Sequence, residues 1–434
     1  MSGPTLGLIG FAAVIVLIMF RVPIAFSMGI VGALGYGLLN GFGTLGFVLG
    51  RATFESVFPV SLSVVPLFVM MGVFAAHGGL SRSLYDLVVA MIGHYRGGLA
   101  MATVGASAIF GAVCGSSIAT AATIGKIAMP EMRRLGYDDR LSSAAVAAGG
   151  TLGVMIPPSI LFVIYGLLTQ NDIGVLFIAG IGPGILGMLL YMGAVAWTTR
   201  GNPKLGPGAA RVGWAARVRA VGRVWAVVIL FAVVLGGMYA GLFTPTEAAS
   251  VGAFGAVVLT AISGRLTRGV VRAAFVETAT TAAMIFTILI GATIFNYFID
   301  ASGLTQGMIT FVEAAGLGKY GTFLALCIFY IILGCLMDSL SMILLTIGAV
   351  YPLVKALGFD PIWFGVILVT LGEIGMITPP VGMNLFVLSA TVPNLPLQTI
   401  CRGILPFVAA DFVRILVLTL VPAVALWLPS MMAR

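Results

Sequence analysis

Apolar runs of spanning length, separated by short polar stretches, follow one another along most of this chain. A bilayer core needs roughly 20 apolar residues per helix. The runs are continuously apolar rather than alternating, which predicts helices and not barrel strands. They place spans at about 5–20, 22–40, 57–77, 141–170 and 173–198 in the first half. In the second half the spans fall at about 224–242, 246–263, 273–299, 362–390 and 403–428. Two other segments, at about 98–130 and 320–354, hold Gly, Ser, Asp or Lys in the middle of apolar sequence. A hairpin that enters and returns to the same side accommodates such a centre. Non-helical backbone at membrane depth survives only where protein or a water-filled cavity satisfies it.

The two halves repeat one another. Gly136-Tyr137-Asp138 and Gly153-Val154-Met155-Ile156-Pro157-Pro158 recur as Gly358-Phe359-Asp360 and Gly375-Met376-Ile377-Thr378-Pro379-Pro380, at a constant offset of 222 residues. Gly115-Ser116-Ser117 falls opposite Met337-Asp338-Ser339. Gly79-Leu80-Ser81 and Gly303-Leu304-Thr305 match just ahead of each hairpin, and read as interfacial arm helices. The chain therefore divides into a first repeat (1–198), a linker (199–223) and a second repeat (224–434). Helix-breaking elements at matching places in two membrane halves point to the binding site of a secondary transporter.

Composition agrees with the pattern. The 434 residues are 60% hydrophobic and 8% charged, with mean hydropathy +1.15, far too little charge to cover a soluble domain. A net charge of +8 does not signal nucleic acid, because the basic residues gather in short loops, as positive-inside topology requires. With the N-terminus outside, Arg21, Arg82, the linker arginines, Arg265, Arg268 and Arg272 fall inside. Segments 40–55, 171–172 and 300–313 fall outside as loops. Five crossings per half then put the repeats in opposite orientations. The first run follows Met1-Ser2-Gly3-Pro4 without a basic side chain or cleavage site, and reads as a retained helix. Cys114, Cys327, Cys335 and Cys401 lack metal or disulfide spacing, and His77 and His94 have no partner at ligand spacing.

The chemistry sits at the repeated breaks. A bare sodium ion is satisfied by neutral oxygens, which interrupted helices release as free carbonyls, while their C-terminal dipole ends attract the cation. Half-helix N-termini attract a carboxylate. One expected ion site is Ser116 and Ser117 facing Gly149, Gly153 and Pro157. Its counterpart is Asp338 and Ser339 facing Gly372, Gly375 and Thr378. Ser116 and Asn384 are the expected substrate contacts. Ser and Gly also serve as plain packing residues in membrane helices, but an ionisable group at this depth, such as Asp338, is functional by default. Glu373 is equally deep and either ligates an ion indirectly or hydrogen-bonds the unwound backbone. Lys126 and Arg51 are read as snorkelling side chains.

Several motifs together carry a resemblance. They are Pro66-Leu67-Phe68 with Met71-Gly72, Gly111-Ala112-Val113-Cys114-Gly115-Ser116-Ser117 with Ala119-Thr120-Ala121, and Met129-Pro130-Glu131-Met132. To these add Phe243-Thr244-Pro245-Thr246-Glu247-Ala248-Ala249 and Ile377-Thr378-Pro379-Pro380-Val381-Gly382-Met383-Asn384-Leu385-Phe386. Nearly the whole chain resembles the large, DctM-type membrane subunit of tripartite ATP-independent periplasmic (TRAP) transporters. The resemblance implies an all-α polytopic protein of the bacterial inner membrane with two inverted repeats and the elevator fold of the ion-transporter superfamily. It implies that the hairpins and broken spans move against a scaffold of the remaining helices. It also implies a Na+-coupled importer of an organic acid (C4-dicarboxylate, sialic acid or a similar carboxylate). Its partners would be a small four-helix membrane subunit and a periplasmic substrate-binding protein, and the length fits an unfused large subunit.

Two other readings remain open. A stand-alone anion carrier of the same fold would need no partners. An intramembrane enzyme would need HExxH, paired intramembrane aspartates or a Ser–His pair, and none of these patterns stands out.

Overall fold

The computed structural model describes residues 2–432, and among them twenty-one α-helices and no strand occur. The first half opens with α1 (Gly3–Met19), α2 (Ile24–Asn40), α3 (Phe42–Val57), α4 (Val64–His77) and the short α5 (Leu80–Ile92). Next come the hairpin α6 (Gly98–Cys114) and α7 (Ser117–Arg134), the broken span α8 (Asp139–Met155) and α9 (Ile160–Thr169), and the long α10 (Ile173–Gly201). The linker holds α11 (Trp214–Arg223). The second half runs α12 (Trp225–Tyr239), α13 (Pro245–Ile262), α14 (Arg268–Ser302) and the short α15 (Leu304–Ala314). It continues with the hairpin α16 (Gly318–Leu336) and α17 (Ser339–Ala356), then the broken span α18 (Pro361–Ile377) and α19 (Met383–Thr391). It closes with α20 (Leu397–Leu420) and α21 (Ala423–Met432). Eight segments are long and apolar enough to cross a membrane, or nine if α11 and α12 form one bent span.

Local chemistry sets these boundaries. Asp138 caps α8 by accepting from Arg140 N at 2.7 Å, and Asp360 caps α18 by accepting from Trp363 N at 2.9 Å. These aspartates occupy corresponding positions of the repeated Gly-Tyr/Phe-Asp motif, and a cap oxygen satisfies an otherwise orphaned N–H. Thr244 and Glu247 form a capping box that starts α13. Both Pro–Pro peptide bonds are cis and lie in the breaks between α8 and α9 and between α18 and α19.

Three expectations change. Segment 40–55, read as an outside loop, is the helix α3. Its Thr44, Arg51, Thr53 and Glu55 dilute the hydropathy of a helix that packs on α2 and α14. Ser56 Oγ donates to Thr293 Oγ1 at 2.8 Å, and Arg51 pairs with Glu55 at 2.7 Å, so Arg51 has a local partner. Second, the linker, read only as a connector between the repeats, is bonded to the flanks of the first hairpin: Gly97 N donates to Gly206 O at 2.8 Å and Asp138 N to Leu205 O at 3.1 Å. Third, α10 and α20 pack against α8 and α18 rather than with the other outer helices. The remaining body of α2, α3, α4, α12, α13 and α14 packs mainly within itself.

Small residues decide the crossings inside the first body. A Cβ on Gly111 or Gly153 would run into the other's backbone where α6 crosses α8, and Gly334 and Gly375 do the same for α16 and α18. Close backbone approach is how membrane helices gain packing energy without a hydrophobic driving force.

Candidate functional site

The tips of the two hairpins open on a single cavity of about 260 Å³. Ser116 and Ser117 line it from the first tip, Asp338 and Ser339 from the second, and Thr281 and Met284 from α14. The four tip residues, more than 200 positions apart in sequence, thus come together.

The tips are built differently. At the first, α6 ends on Gly115 in the left-handed region (φ 65°), where a side chain is disfavoured. Ser116 then caps α7, its hydroxyl accepting from Ala119 N at 3.3 Å. At the second, Met337 is extended and Asp338 caps α17. The Asp338 carboxylate accepts from Leu340 N at 3.1 Å, from Ser341 N at 3.2 Å and from Ser341 Oγ at 2.6 Å. A neutral cap leaves the positive end of α7 available to an anion, whereas Asp338 already supplies a negative charge at the end of α17.

Each broken span sends its second leg to the other half's hairpin: α19 packs on α7, and α9 on α17. Asn384 on α19 donates from Nδ2 to Ser117 Oγ at 2.7 Å and to Ala147 O at 3.1 Å. It is fully buried and does not line the cavity, so of the two expected substrate contacts only Ser116 faces the open space. Gly372 lies against Ser339, whose Oγ would sit 2.7 Å from a Cβ added there. The corresponding glycine of the first half is Gly150, where a Cβ would come 3.2 Å from Ser117 O. Gly149, expected at this place, instead faces Ser107 on α6. Gly153 and Gly375 serve the helix crossings. Pro157 is buried in the first break, and Thr378 Oγ1 donates back to Ile374 O at 2.6 Å. Lys126 is exposed and absent from the cavity lining.

Buried oxygens without hydrogen-bond partners surround the tips: Ser339 Oγ, Asn384 Oδ1, Thr120 Oγ1 and Ser107 Oγ. These neutral acceptors are the chemistry that a monovalent cation requires. Ser107, Thr120 and Gly150 escaped the sequence reading. The 222-residue offset applied to Gly372 would have found Gly150; Thr120 stood inside the Ala119-Thr120-Ala121 motif without a role of its own, and Ser107 carries no signal beyond being polar in an apolar run.

A second polar group lies deeper. Arg414 on α20 contacts Glu373 on α18 at 2.5 Å and Asp411 at 3.0 Å, and all three are fully buried. Tyr191 on α10 donates to Asp411 at 2.7 Å. Glu373 therefore pairs with an arginine rather than with the unwound backbone. Arg414 and Asp411 fall inside the expected span 403–428, where an ionisable group is itself a signal, but the sequence does not name their partner Glu373 on another helix.

Helical hairpins and interrupted spans converging on one cavity define a polytopic membrane transporter. The solved Alcanivorax borkumensis YdaH transporter shares the fold, with TM-score 0.62 at 16% identity over 89% of each chain. The chain belongs to the DctM family: residues 11–424 match the family described as "Tripartite ATP-independent periplasmic transporter, DctM component". It is 38% identical over 381 residues to the C4-dicarboxylate TRAP transporter large permease protein DctM of Pseudomonas aeruginosa, covering 87% of this chain and 88% of that one. It is 30% identical over 426 residues to the ectoine TRAP transporter large permease protein TeaC of Halomonas elongata, covering 98% and 99%. It is accordingly a permease subunit and not an enzyme, and it resides in the inner membrane, as the sequence reading expected.

Proposed function

We propose that this chain is the membrane permease of a sodium-coupled symporter that imports a small organic acid handed over by a periplasmic binding protein. The observation that carries the reading is the shared cavity, where Ser339, whose buried Oγ has unused acceptor capacity, lies across from a helix N-terminus capped by the neutral Ser116, with the unpartnered Asn384 Oδ1 and Thr120 Oγ1 buried behind the first tip. Cations are attracted to the former and a substrate carboxylate to the latter. The name of the Pseudomonas relative supports a C4-dicarboxylate as substrate, and that of the Halomonas relative shows that other cargo occurs on this scaffold. A small four-helix membrane subunit and the binding protein complete the system. In the cycle, the hairpins and broken spans, with α10 and α20 attached, carry the cavity past the outer body.

Uptake by proteoliposomes tests this reading. With the small subunit and loaded binding protein present, an inward sodium gradient should drive accumulation, and potassium in its place should abolish it. Equal uptake under both gradients would remove the sodium assignment. Saturable, sodium-driven uptake by the chain alone would establish a stand-alone carrier.

A further inference from the structure

The linker helix α11 presents a surface that the transport reading does not use. Trp214, Val218 and Val221 follow on α11 at helical spacings of four and three and so share one face, and Trp225 stands just past the bend at the start of α12. They are 75%, 55%, 49% and 46% exposed. The opposite side is attached: α11 packs on α5, and Ala220 is buried between them. The helix departs from α12 by a 47° bend and so does not simply continue that span.

Charge accompanies the apolar face. Arg211, Arg217, Arg219 and Arg223 lie on or beside α11, and no Asp or Glu occurs from residue 173 to residue 246. Among the described residues none of the four arginines makes an ion pair. Arg217 Nε is shielded and has no acceptor within the chain. Asp86 on α5 lies within the field of Arg82 and Arg223 and offsets part of the charge. An exposed Trp/Val face with an excess of arginine is the composition of a helix lying in the membrane–water interface, its rings at headgroup depth and its guanidinium groups at the phosphates.

We propose that α11 binds the headgroups of anionic phospholipids, with Trp214, Val218, Val221 and Trp225 seated among the acyl chains beneath. The bound lipid stabilises α11 against α5. The linker segment is tied to both sides of the first hairpin: ahead of α6 by Gly97 N donating to Gly206 O and Ala209 N donating to Gly93 O at 3.0 Å, and after α7 by Asp138 N donating to Leu205 O. The site therefore joins lipid composition to the elements around the hairpin. It is independent of which solute is carried.

Each basic side chain near an anionic leaflet contributes roughly fivefold in binding. Purified full-length chain in detergent is titrated with phosphatidylglycerol or phosphatidylcholine, and the retained lipid is read by native mass spectrometry. Wild type should retain phosphatidylglycerol preferentially, and Arg217→Gln/Arg219→Gln/Arg223→Gln should lower that retention roughly a hundredfold. Unchanged retention in the triple variant overturns the proposal. A second measurement does not depend on that variant folding. Trp214 fluorescence, taken as the difference between wild type and Trp214→Phe, should be quenched more strongly by brominated phosphatidylglycerol than by brominated phosphatidylcholine. Equal quenching by the two removes the headgroup assignment. Absence of quenching by either shows that a protein surface covers α11 and overturns the proposal, as does full displacement of the lipid by inorganic phosphate.

Discussion

Asn384 Nδ2 lies 2.7 Å from Ser117 Oγ, joining the second broken span to the tip of the first hairpin across 267 positions of sequence. The amide also leaves its Oδ1 buried and unpartnered, so on the proposed reading one side chain would both brace the tip and supply an oxygen to the cation. Asn384→Ala removes both. A buried partner lost in this way costs about 1–3 kcal/mol, and sodium activation of uptake should shift to roughly 5–150-fold higher concentration. A wild-type activation curve in this variant would show that the bond is only structural.

Asp338 caps α17, and the proposed sodium coupling would give it a second, separable duty. Asn keeps the capping geometry and Ala does not, and loss of a cap costs about 0.5–2 kcal/mol. Asp338→Asn should therefore melt close to wild type yet require more sodium, whereas Asp338→Ala should lose stability as well. Thermal unfolding paired with sodium titration separates the two. Normal sodium dependence in Asp338→Asn would reduce Asp338 to a cap.

Gly372 is a space requirement, since a methyl there presses on Ser339. Gly372→Ala should cost about 1–3 kcal/mol as overpacking and depress uptake further by displacing Ser339. Gly236 on α12 has open space around it, so Gly236→Ala serves as the control and should stay within about 0.5 kcal/mol of wild type. Equal behaviour of the two variants would refute the packing argument.

The Glu373–Arg414–Asp411 group should respond as a unit. Arg414→Met leaves two buried carboxylates without their cation and should destabilise the protein by about 3–5 kcal/mol. Combining it with Glu373→Gln and Asp411→Asn removes the stranded charge and should recover much of that loss, read as the melting temperature in detergent. A triple variant no more stable than Arg414→Met would show that the group holds the helices by something other than charge pairing.

Motion of the hairpins and broken spans past α14 can be tested at the cavity, which Thr281 on α14 and Leu340 on α17 both line. A bifunctional thiol reagent bridging Thr281→Cys and Leu340→Cys should stop uptake until it is cleaved. Normal cycling of the bridged protein would exclude relative movement of these two helices.

The sequence by itself determined what depends on composition and order along the chain. Continuous apolar runs required membrane helices, and Gly115-Ser116 and Asp338-Ser339 inside such runs marked the hairpin tips. The Pro157-Pro158 and Pro379-Pro380 pairs marked the two breaks, because proline cannot continue a helix there. Family membership was legible for the same reason, since the Ile377–Phe386 motif is local. Side-chain partners were not. That Asn384 reaches Ser117 and that Arg414 neutralises Glu373 both depend on how helices far apart in sequence pack. Hydropathy also hid α3 and α11, because an amphipathic helix averages out over a window although its faces differ. Only the tertiary structure could decide these points. In a membrane interior a polar atom's role is set by the partner that satisfies it, and here that partner comes from another helix.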